Sequence, residues 1–372
     1  MTKKVLFVAT VVKTHINVFH IPYLKMLKEM GYETHVAARN DYENPEECVI
    51  PYCDYFHDMP FERSPLKMNN IKTYKMLKNL MLKENFDIIH CHTPMGGVLT
   101  RFAYKNIKNK IESRIIYTAH GFHFYKGAPL LNWMVYYPVE KYFSKYTDTL
   151  ITINKEDYNR AKNKFKKCKD IQYVPGVGID LDMFKNENRN KQKLIDELKI
   201  SKGSILLLSV GELIDRKNHQ VIIKCLKGLP DNIHYLIVGS GMNKQKLIDL
   251  AKKEGVSNRV HLLGFRTDIP FIMKSSDIFV FPSLQEGLPV AVMEAIACGL
   301  PCVVSNIRGN SDLIEHFFNG LLVDSNDSLE YKKEIENILS MDINQMKINN
   351  IRKSNEFELE HIKELIKKIY IN

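Results

Sequence analysis

The stretch SDIFVFPSLQEGLPVAVMEAIACGLPCVVS, from Ser276 to Ser305, contains the residues that decide the fold. Its apolar run Ile278–Phe281 predicts a buried strand, and a loop with proline and glycine follows. Pro289 suits the first turn of a helix, and Gly299 suits the residue that ends it. A buried strand followed by a helix indicates one strand–helix unit of a parallel sheet covered on both faces.

The same alternation of strands and helices extends over nearly all of the 372 residues. A polar stretch with proline and glycine, Val174 to Gln192, interrupts it and predicts the junction of two doubly wound units. The sequence therefore predicts an α/β fold with two Rossmann-like domains, in which the carboxyl ends of the strands face a central cleft. The predicted strands are Val5–Ala9, Thr34–Ala37, Ile88–Cys91, Ile115–Thr118, Thr149–Ile153, Ile205–Val210, Tyr235–Val238, Val260–Leu262, Ile278–Phe281, Cys302–Val304 and Leu321–Val323, and the tail is predicted to form helices Leu329–Leu339 and Ile343–Tyr370.

Bulk composition narrows the class of protein. Apolar residues make up 45% and charged residues 26% of the chain, which is typical of a globular protein. No apolar run approaches the roughly 20 residues of a membrane-spanning helix. Seven irregularly spaced cysteines fit free thiols in a reducing cytoplasm. The net charge of +10 leaves a solvated basic face or an anionic membrane surface open, whereas no motif indicates nucleic acid.

Two carboxylates accompany the predicted helix of the opening stretch. Glu286 stands just before the helix and Glu294 lies within it. A helix N-terminus at the carboxyl edge of a parallel sheet presents free N–H groups to a diphosphate. A carboxylate beside it can accept two hydrogen bonds from the vicinal hydroxyls of a ribose. Either glutamate alone also fits an ordinary exposed or capping acid, so the interpretation depends on the pair.

The spacing Glu-x7-Glu, with glycine and proline at fixed places around it, resembles the signature of the retaining GT-B glycosyltransferases of family 4. The resemblance implies that Glu294 binds the nucleotide ribose and that Glu286, beside the donor sugar, is a catalytic residue. The loop residues expected to contact the nucleotide sugar are Gly287, Leu288 and Pro289.

Three further segments resemble parts of the family's donor site. SVGELIDRKNHQ, from Ser209 to Gln220, resembles its Gly-Arg…Lys element, although Glu212 stands where many members have arginine. Lys217 and Arg216 are then expected to bind the diphosphate without a metal; the alternative is that both are solvated residues at a helix start. VGSGMNKQKL and LLGFRTDIP resemble the family's turns around the nucleotide. Phe265 in the second segment fits contact with the base and packing within the protein equally well. The remaining expected contacts are Gly211, Gly239, Phe265 and Arg266.

The first half of the chain is rich in histidine near predicted strand ends. In YTAHGFHFYKG, His120 follows a predicted strand, and the resemblance places a histidine of that kind beside the donor sugar as a second catalytic residue. An isolated histidine is otherwise more often structural. The residues expected on the acceptor side are His15, His20, His92, His123 and Lys126.

No metal and no other cofactor is expected. The residues of His90-Cys91-His92 alternate across a strand, so the cysteine cannot join both histidines at one ion. Asp180-Leu181-Asp182 matches the Asp-x-Asp of another glycosyltransferase fold, but its surroundings resemble the family's domain junction instead.

The resemblance covers essentially the whole chain, and HGFHFYKG and FHIPYLK resemble the subgroup acting in capsule and exopolysaccharide assembly. It implies that a hexose or N-acetylhexosamine moves with retention from a nucleotide sugar, for which family frequency favours UDP, to a polyprenyl-diphosphate-linked or other glycan acceptor. The enzyme would be cytoplasmic and peripheral at the inner face of the plasma membrane. The expected domains are residues 1–180 for the acceptor, 181–345 for the nucleotide sugar, and a C-terminal helix, 346–372, returning to the first domain. A UDP-sugar 2-epimerase and a non-catalytic sugar-nucleotide-binding subunit remain as rivals.

Overall fold

A computed structural model of the protein describes residues 2–185 and 187–371. These residues form two compact units, the first from residues 2–177 and 362–371 and the second from residues 178–361 without residue 186. Each unit contains one parallel sheet with helices against it. The predicted α/β fold with two Rossmann-like domains is confirmed.

The first unit is built on a seven-stranded parallel sheet in the order β3-β2-β1-β4-β5-β6-β7. Strand order reverses between β1 and β4, which is where ligands bind in doubly wound sheets. A π-helical turn, Val12–Ile16, directly follows β1. The strands are β1 Lys4–Val11, β2 Glu33–Arg39, β3 Tyr55–Asp58, β4 Ile88–His92, β5 Arg114–Ala119, β6 Thr149–Thr152 and β7 Asp170–Tyr173. The helices are α1 Asn17–Phe19, α2 Ile21–Glu29, α3 Asn69–Glu84, α4 Pro94–Lys105, α5 Leu130–Phe143 and α6 Lys155–Lys164.

The second unit has a six-stranded parallel sheet in the order β10-β9-β8-β11-β12-β13, and its order reverses between β8 and β11. Its strands are β8 Ile205–Val210, β9 Ile233–Val238, β10 Val260–Gly264, β11 Ile278–Phe281, β12 Cys302–Ser305 and β13 Gly320–Val323. Its helices are α7 Leu181–Lys185, α8 Lys191–Leu198, α9 His219–Leu226, α10 Lys244–Lys253, α11 Ile269–Ser275, α12 Val290–Ala297, α13 Asn310–Leu313, α14 Ser328–Ser340 and α15 Asn344–Ser354.

All eleven strands predicted from apolar runs are present, with ends shifted by at most a few residues, and β3 and β7 are additional. These two strands have four residues each and lie at the two edges of the first sheet. An edge strand needs to bury less apolar surface than a central strand, so neither segment carries a continuous apolar run. Hydropathy alone therefore misses both.

The prediction of one long helix from Ile343 to Tyr370 is wrong, because the segment forms α15 and then α16, Leu359–Ile371. Between the two helices, the backbone forms hydrogen bonds with Ile179 instead of continuing the helical pattern. The Ile179 N–H donates to the Phe357 carbonyl, and the Leu359 N–H donates to the Ile179 carbonyl, each at 2.9 Å. The apolar face of α16 packs in the core of the first unit, on the sheet face that includes Val5 and Phe7.

A buried ion pair ties α5 to the rest of the first unit. Arg101 of α4 donates to the Glu140 carboxylate at 2.9 Å and to the Gly97 carbonyl at 2.8 Å, and its guanidinium stacks on the Tyr117 ring at 4.0 Å. The Tyr117 hydroxyl donates to the other oxygen of Glu140 at 3.2 Å. Arg101 is 1% exposed and Glu140 is 7% exposed, so each charge has lost its hydration and is stabilised by the opposite charge of the other.

The Arg101→Met protein is therefore expected to lose about 3–5 kcal/mol of stability, because Glu140 keeps a buried charge without its cation. Urea unfolding followed by circular dichroism measures the loss. Lys169→Ala is the control, since Lys169 is 80% exposed in its pair with Asp148 and should contribute less than about 1 kcal/mol. Equal stability losses for the two variants would contradict the dependence on burial.

Candidate functional site

Two loops of the second unit meet where the strand order reverses. One follows β8 and contains Arg216; the other follows β11 and leads to α12. The Leu284 N–H donates to the Arg216 carbonyl at 2.8 Å, and the Arg308 side chain donates to the Glu286 carbonyl at 3.0 Å. The Leu284 contact holds these two loops against each other, and Arg308, which lies in the loop after β12, connects a third loop to the second of them.

The carboxylate of Glu286 is the centre of a charge cluster. One of its oxygens, Oε1, accepts from Lys217 Nζ at 2.7 Å, from Arg216 Nη1 at 2.9 Å and from Ser283 Oγ at 2.6 Å. The Lys217 ammonium also lies 4.7 Å from the centre of the Phe281 ring. Two cations face one carboxylate, so the cluster keeps a local excess of positive charge that an anion can use.

The sequence analysis missed Ser283 and Arg308 as supporting residues of this cluster. Both are buried, at 0% and 6% exposed. Ser283 lies in the quoted loop, where a small hydroxyl after a buried strand is a detectable signal. Arg308 lies in the loop after β12, and only the fold brings it to Glu286.

The N-terminus of α12 borders the same loop. Pro289 precedes the helix as its N-cap residue, and no side chain among the described residues caps the helix start. Gly309 packs against this turn: a Cβ on Gly309 would lie 2.5 Å from the Gly287 carbonyl oxygen. Leu288 of the same loop is buried, with 7% of its surface exposed. The N-cap side chain thus leaves the first N–H groups of α12 uncapped, and their binding of an anion stays a prediction.

Glu294 lies in the middle of α12, one turn beyond this N-terminus. Burial raises the pKa of its carboxyl group to about 7. Within residues 2–185 and 187–371, no hydrogen bond or ion pair engages this carboxylate. A desolvated carboxylate without a protein donor is suited to accept hydrogen bonds from a ligand.

The other predicted donor residues lie in the same unit. Gly239 must be glycine, because a Cβ there would lie 2.0 Å from the Gly211 carbonyl oxygen, so the loops after β8 and β9 approach closely. Phe265 is 80% exposed, which leaves its ring face open for stacking. Arg266 forms a bidentate pair with Asp268, at 2.8 and 2.6 Å, and bonds Glu197, so its guanidinium is already engaged within the protein. The nucleotide roles of these residues stay predictions.

The histidines of the first unit form one group at the strand ends β1, β4 and β5. Nε2 of His15 and Nε2 of His20 are 3.2 Å apart, and Nδ1 of His92 and Nε2 of His120 are 3.4 Å apart. Burial lowers the pKa of all four imidazoles, that of His120 to about 4, so they are neutral at neutral pH. His20 and His92 are each 2% exposed, which fits support of the site better than direct contact with a large acceptor.

The remaining predicted acceptor residues lie near a cavity of about 450 Å³ in the first unit. His15 and His123 line it, and the His123 ring stacks on Tyr136 of α5 at 4.5 Å. Lys126 is exposed, and its backbone N–H donates to Glu156 at 2.8 Å. Arg63 also lines the cavity and is a cationic residue that the sequence analysis did not single out. Its segment lies in a loop without a recognisable pattern.

Two Rossmann-like units that each contain one parallel sheet are the architecture of the GT-B glycosyltransferases. The family model described as Glycosyl transferases group 1 matches residues 190–354, and the model described as Glycosyl transferase 4-like matches residues 4–154. EpsD of Bacillus subtilis (strain 168), whose name assigns it to the glycosyltransferases, is 37% identical over 91% of this chain and 88% of its own length. The chain belongs to the GT-B glycosyltransferases.

Two further relatives are informative about substrates of other members. An Escherichia coli protein named UDP-Gal:alpha-D-GlcNAc-diphosphoundecaprenol alpha-1,3-galactosyltransferase is 33% identical over 81% of this chain and 78% of its own. The crystal structure of Anabaena HepE in complex with UDP and glucose superposes with a TM-score of 0.80 at 18% identity, covering 99% of both chains. This last likeness concerns the fold. Of the helices in residues 2–185 and 187–371, none has the length and apolar character to span a bilayer.

Proposed function

We propose that this glycosyltransferase moves a hexose or N-acetylhexosamine from a UDP-sugar to a polyprenyl-diphosphate-linked glycan in exopolysaccharide or capsule biosynthesis. The observation that carries the proposal is the second-unit arrangement of Lys217, Arg216 and Glu286 beside the α12 N-terminus, with the Glu294 carboxylate, which has no partner in the described part of the chain, one turn away. UDP in the HepE structure and the substrates named for the Escherichia coli relative support this donor and this acceptor class. The names of the relatives favour transfer over the epimerase and the non-catalytic subunit.

In the donor site, the two cations and the free N–H groups of α12 bind the diphosphate, and Glu294 accepts hydrogen bonds from the ribose hydroxyls. The role of Glu286 is then twofold. Its carboxylate holds Lys217 and Arg216 in position, and it lies beside the donor sugar as the family resemblance implies. Gly211, Gly239 and Phe265 surround the nucleotide.

The reaction proceeds with retention of anomeric configuration and without a metal ion. The bond between the anomeric carbon and the diphosphate oxygen breaks while the acceptor hydroxyl oxygen attacks from the same face. The proton of that hydroxyl passes to the departing diphosphate. Lys217 and Arg216 stabilise the negative charge that grows on this leaving group, which is the step where preorganised cations contribute most. His120 contacts the donor sugar.

For the acceptor, the 450 Å³ cavity of the first unit offers Arg63 and His123 to a diphosphate and apolar walls from α4 and α5. Helix α5 carries an exposed apolar surface on the outside of the same unit, and lysines accompany its aromatic residues: Lys145 lies 4.0 Å from the Tyr142 ring. Apolar side chains with a basic rim are typical of helices that lie in an anionic membrane interface. The most exposed apolar residues of α5 are Leu130, Leu131, Met134 and Val135.

Replacing Leu131 and Met134 together by serine is expected to weaken vesicle binding at least about tenfold, because each buried aliphatic side chain contributes roughly 1.5–3 kcal/mol. Sedimentation with vesicles containing phosphatidylglycerol measures the affinity. Met242→Ser is the matched control, since Met242 is 88% exposed but lies in the second unit. If the control weakens binding as much as the double variant does, α5 is not the membrane contact.

The proposed activity is tested by incubating the protein with a panel of nucleotide sugars and a short-chain polyprenyl-diphosphate disaccharide. Product formation from a UDP-sugar with the donor's α configuration preserved in the NMR spectrum is expected. Inversion would refute the mechanism. Conversion of UDP-GlcNAc to UDP-ManNAc without acceptor would support the epimerase instead.

A further inference from the structure

The four histidines His15, His20, His92 and His120 come from three separate segments of the first unit, which follow β1, end β4 and follow β5, and they converge at one point. One ring nitrogen of each lies within 4.8 Å of the nitrogens of the other three. A tetrahedral Zn²⁺ ion with Zn–N bonds of about 2.0–2.1 Å separates its ligand nitrogens by about 3.3–3.4 Å. The His15–His20 and His92–His120 pairs, at 3.2 and 3.4 Å, already have this spacing. The widest pair needs to close by roughly an ångström to reach it.

His20 and His92 use Nε2 and Nδ1, respectively, in the two short contacts. Their other ring nitrogens, Nδ1 of His20 and Nε2 of His92, are buried and have no hydrogen-bond partner among the described residues, so no second hydrogen bond fixes the tautomer of either ring. Beside these rings lies a cavity of about 20 Å³, lined in part by His20, His92 and His120. That volume holds one water-sized species.

The chemistry of the four groups selects a cation of a particular kind. Neutral imidazole is the ligating form of histidine. Imidazole nitrogen suits zinc, copper and nickel, whereas magnesium and calcium require oxygen ligands. Arg63 lines the same cavity as His15, and its positive charge acts against a bound cation.

We propose that His15, His20, His92 and His120 form a binding site for one divalent transition-metal ion, with Zn²⁺ as the expected occupant. The tetrahedral preference of the ion matches the convergence of one nitrogen from each of the four rings. Metal binding then competes with any other use of the His120 ring. This last consequence rests on the proposed function, in which His120 contacts the donor sugar.

The first experiment measures Zn²⁺ binding to the full-length protein after treatment with a chelator, without donor or acceptor. We expect one equivalent of Zn²⁺ to bind, and Co²⁺ in its place to give the strong visible absorption of a four-coordinate complex. His15→Asn, at the rim of the cluster, and His20→Ala, in its centre, are each expected to weaken binding by at least about 100-fold, because even outer-shell partners of metal ligands contribute 10–100-fold. Circular dichroism checks that both variants are folded.

His316→Asn is the control, since His316 is exposed on the second unit and should leave the affinity unchanged. Equal Zn²⁺ affinity in wild type and in a folded His15→Asn protein would overturn the proposal, as would the weak absorption of six-coordinate Co²⁺. A second experiment adds Zn²⁺ to the transfer assay, where a loss of rate reversed by EDTA is expected. Tight four-coordinate binding with an unchanged rate would leave the metal site intact and would refute only the contact of His120 with the sugar.

Discussion

The Glu294→Gln protein is expected to bind UDP-glucose at least about tenfold more weakly than wild type and to lose the pH dependence that Glu294 confers on both binding and stability. The carboxylate has no protein partner among the described residues, so a ribose diol is expected to supply its hydrogen bonds. An ionised acceptor forms bonds roughly twice as strong as those of a neutral amide. Affinity in wild type should therefore rise as the pH increases through about 7, and in the variant it should stay flat.

The same carboxyl group should make the stability of the folded protein fall as the pH rises, whereas the affinity for UDP-glucose rises. Its pKa is about 7 in the folded protein and 4.5 in the reference state, so the folded state binds more protons between these values. The stabilising contribution is present below pH 4.5 and is lost as the pH rises through about 7. The difference between these two pKa values corresponds to roughly 3 kcal/mol. Between pH 5 and pH 8 the Glu294→Gln protein should gain stability relative to wild type by a sizeable part of that amount.

Thermal unfolding at several pH values and isothermal titration with UDP-glucose measure the two effects. Glu336→Gln is the control, because Glu336 is 49% exposed on α14 and should change neither. A variant that keeps the wild-type affinity at pH 8 would show that Glu294 does not bind the ribose. A pH profile of stability that is the same in both proteins would show that the buried carboxyl is not the titrating group.

The Lys217→Ala protein is expected to lose about 10²–10³-fold in kcat, since it lacks one preorganised cation for the departing diphosphate. Glu286 keeps Arg216 at 2.9 Å and Ser283 at 2.6 Å, so its carboxylate stays paired and the loop is expected to remain folded. The effect should fall on kcat more than on KM, because the charge on the leaving group grows in the transition state.

Transfer rates at saturating donor, with circular dichroism as a check on folding, measure this loss. Lys246→Ala is the matched control: Lys246 also pairs with an acidic residue, Asp215, at 2.6 Å, but is 55% exposed and lies away from Glu286. Comparable rates for Lys217→Ala and Lys246→Ala would exclude Lys217 from leaving-group stabilisation. A change confined to KM would assign Lys217 to ground-state binding alone.

Much of the fold was readable from the sequence because central strands of a parallel sheet are buried on both faces and appear as continuous apolar runs. Nine of the eleven predicted strands lie in the interior of their sheets, and the other two, β10 and β13, are edge strands of the second sheet that still carry short apolar runs. The edge strands β3 and β7 escaped because half-exposed residues carry no such run. The break between α15 and α16 also escaped, since it depends on the backbone of Ile179, which is remote in sequence.

For the site, the sequence by itself determined that Glu286 precedes a helix, that Glu294 lies within it, and that Lys217 follows a strand of the same domain. Those facts follow from local patterns of apolar, turn and capping residues, which act over a few positions. Only the tertiary structure decided that Lys217 and Arg216 bond the Glu286 carboxylate from the neighbouring strand's loop, and that four histidines from three segments of the chain meet at one point. Strand order and loop packing determine such contacts, and both arise from burial over the whole sheet rather than from any local stretch of residues.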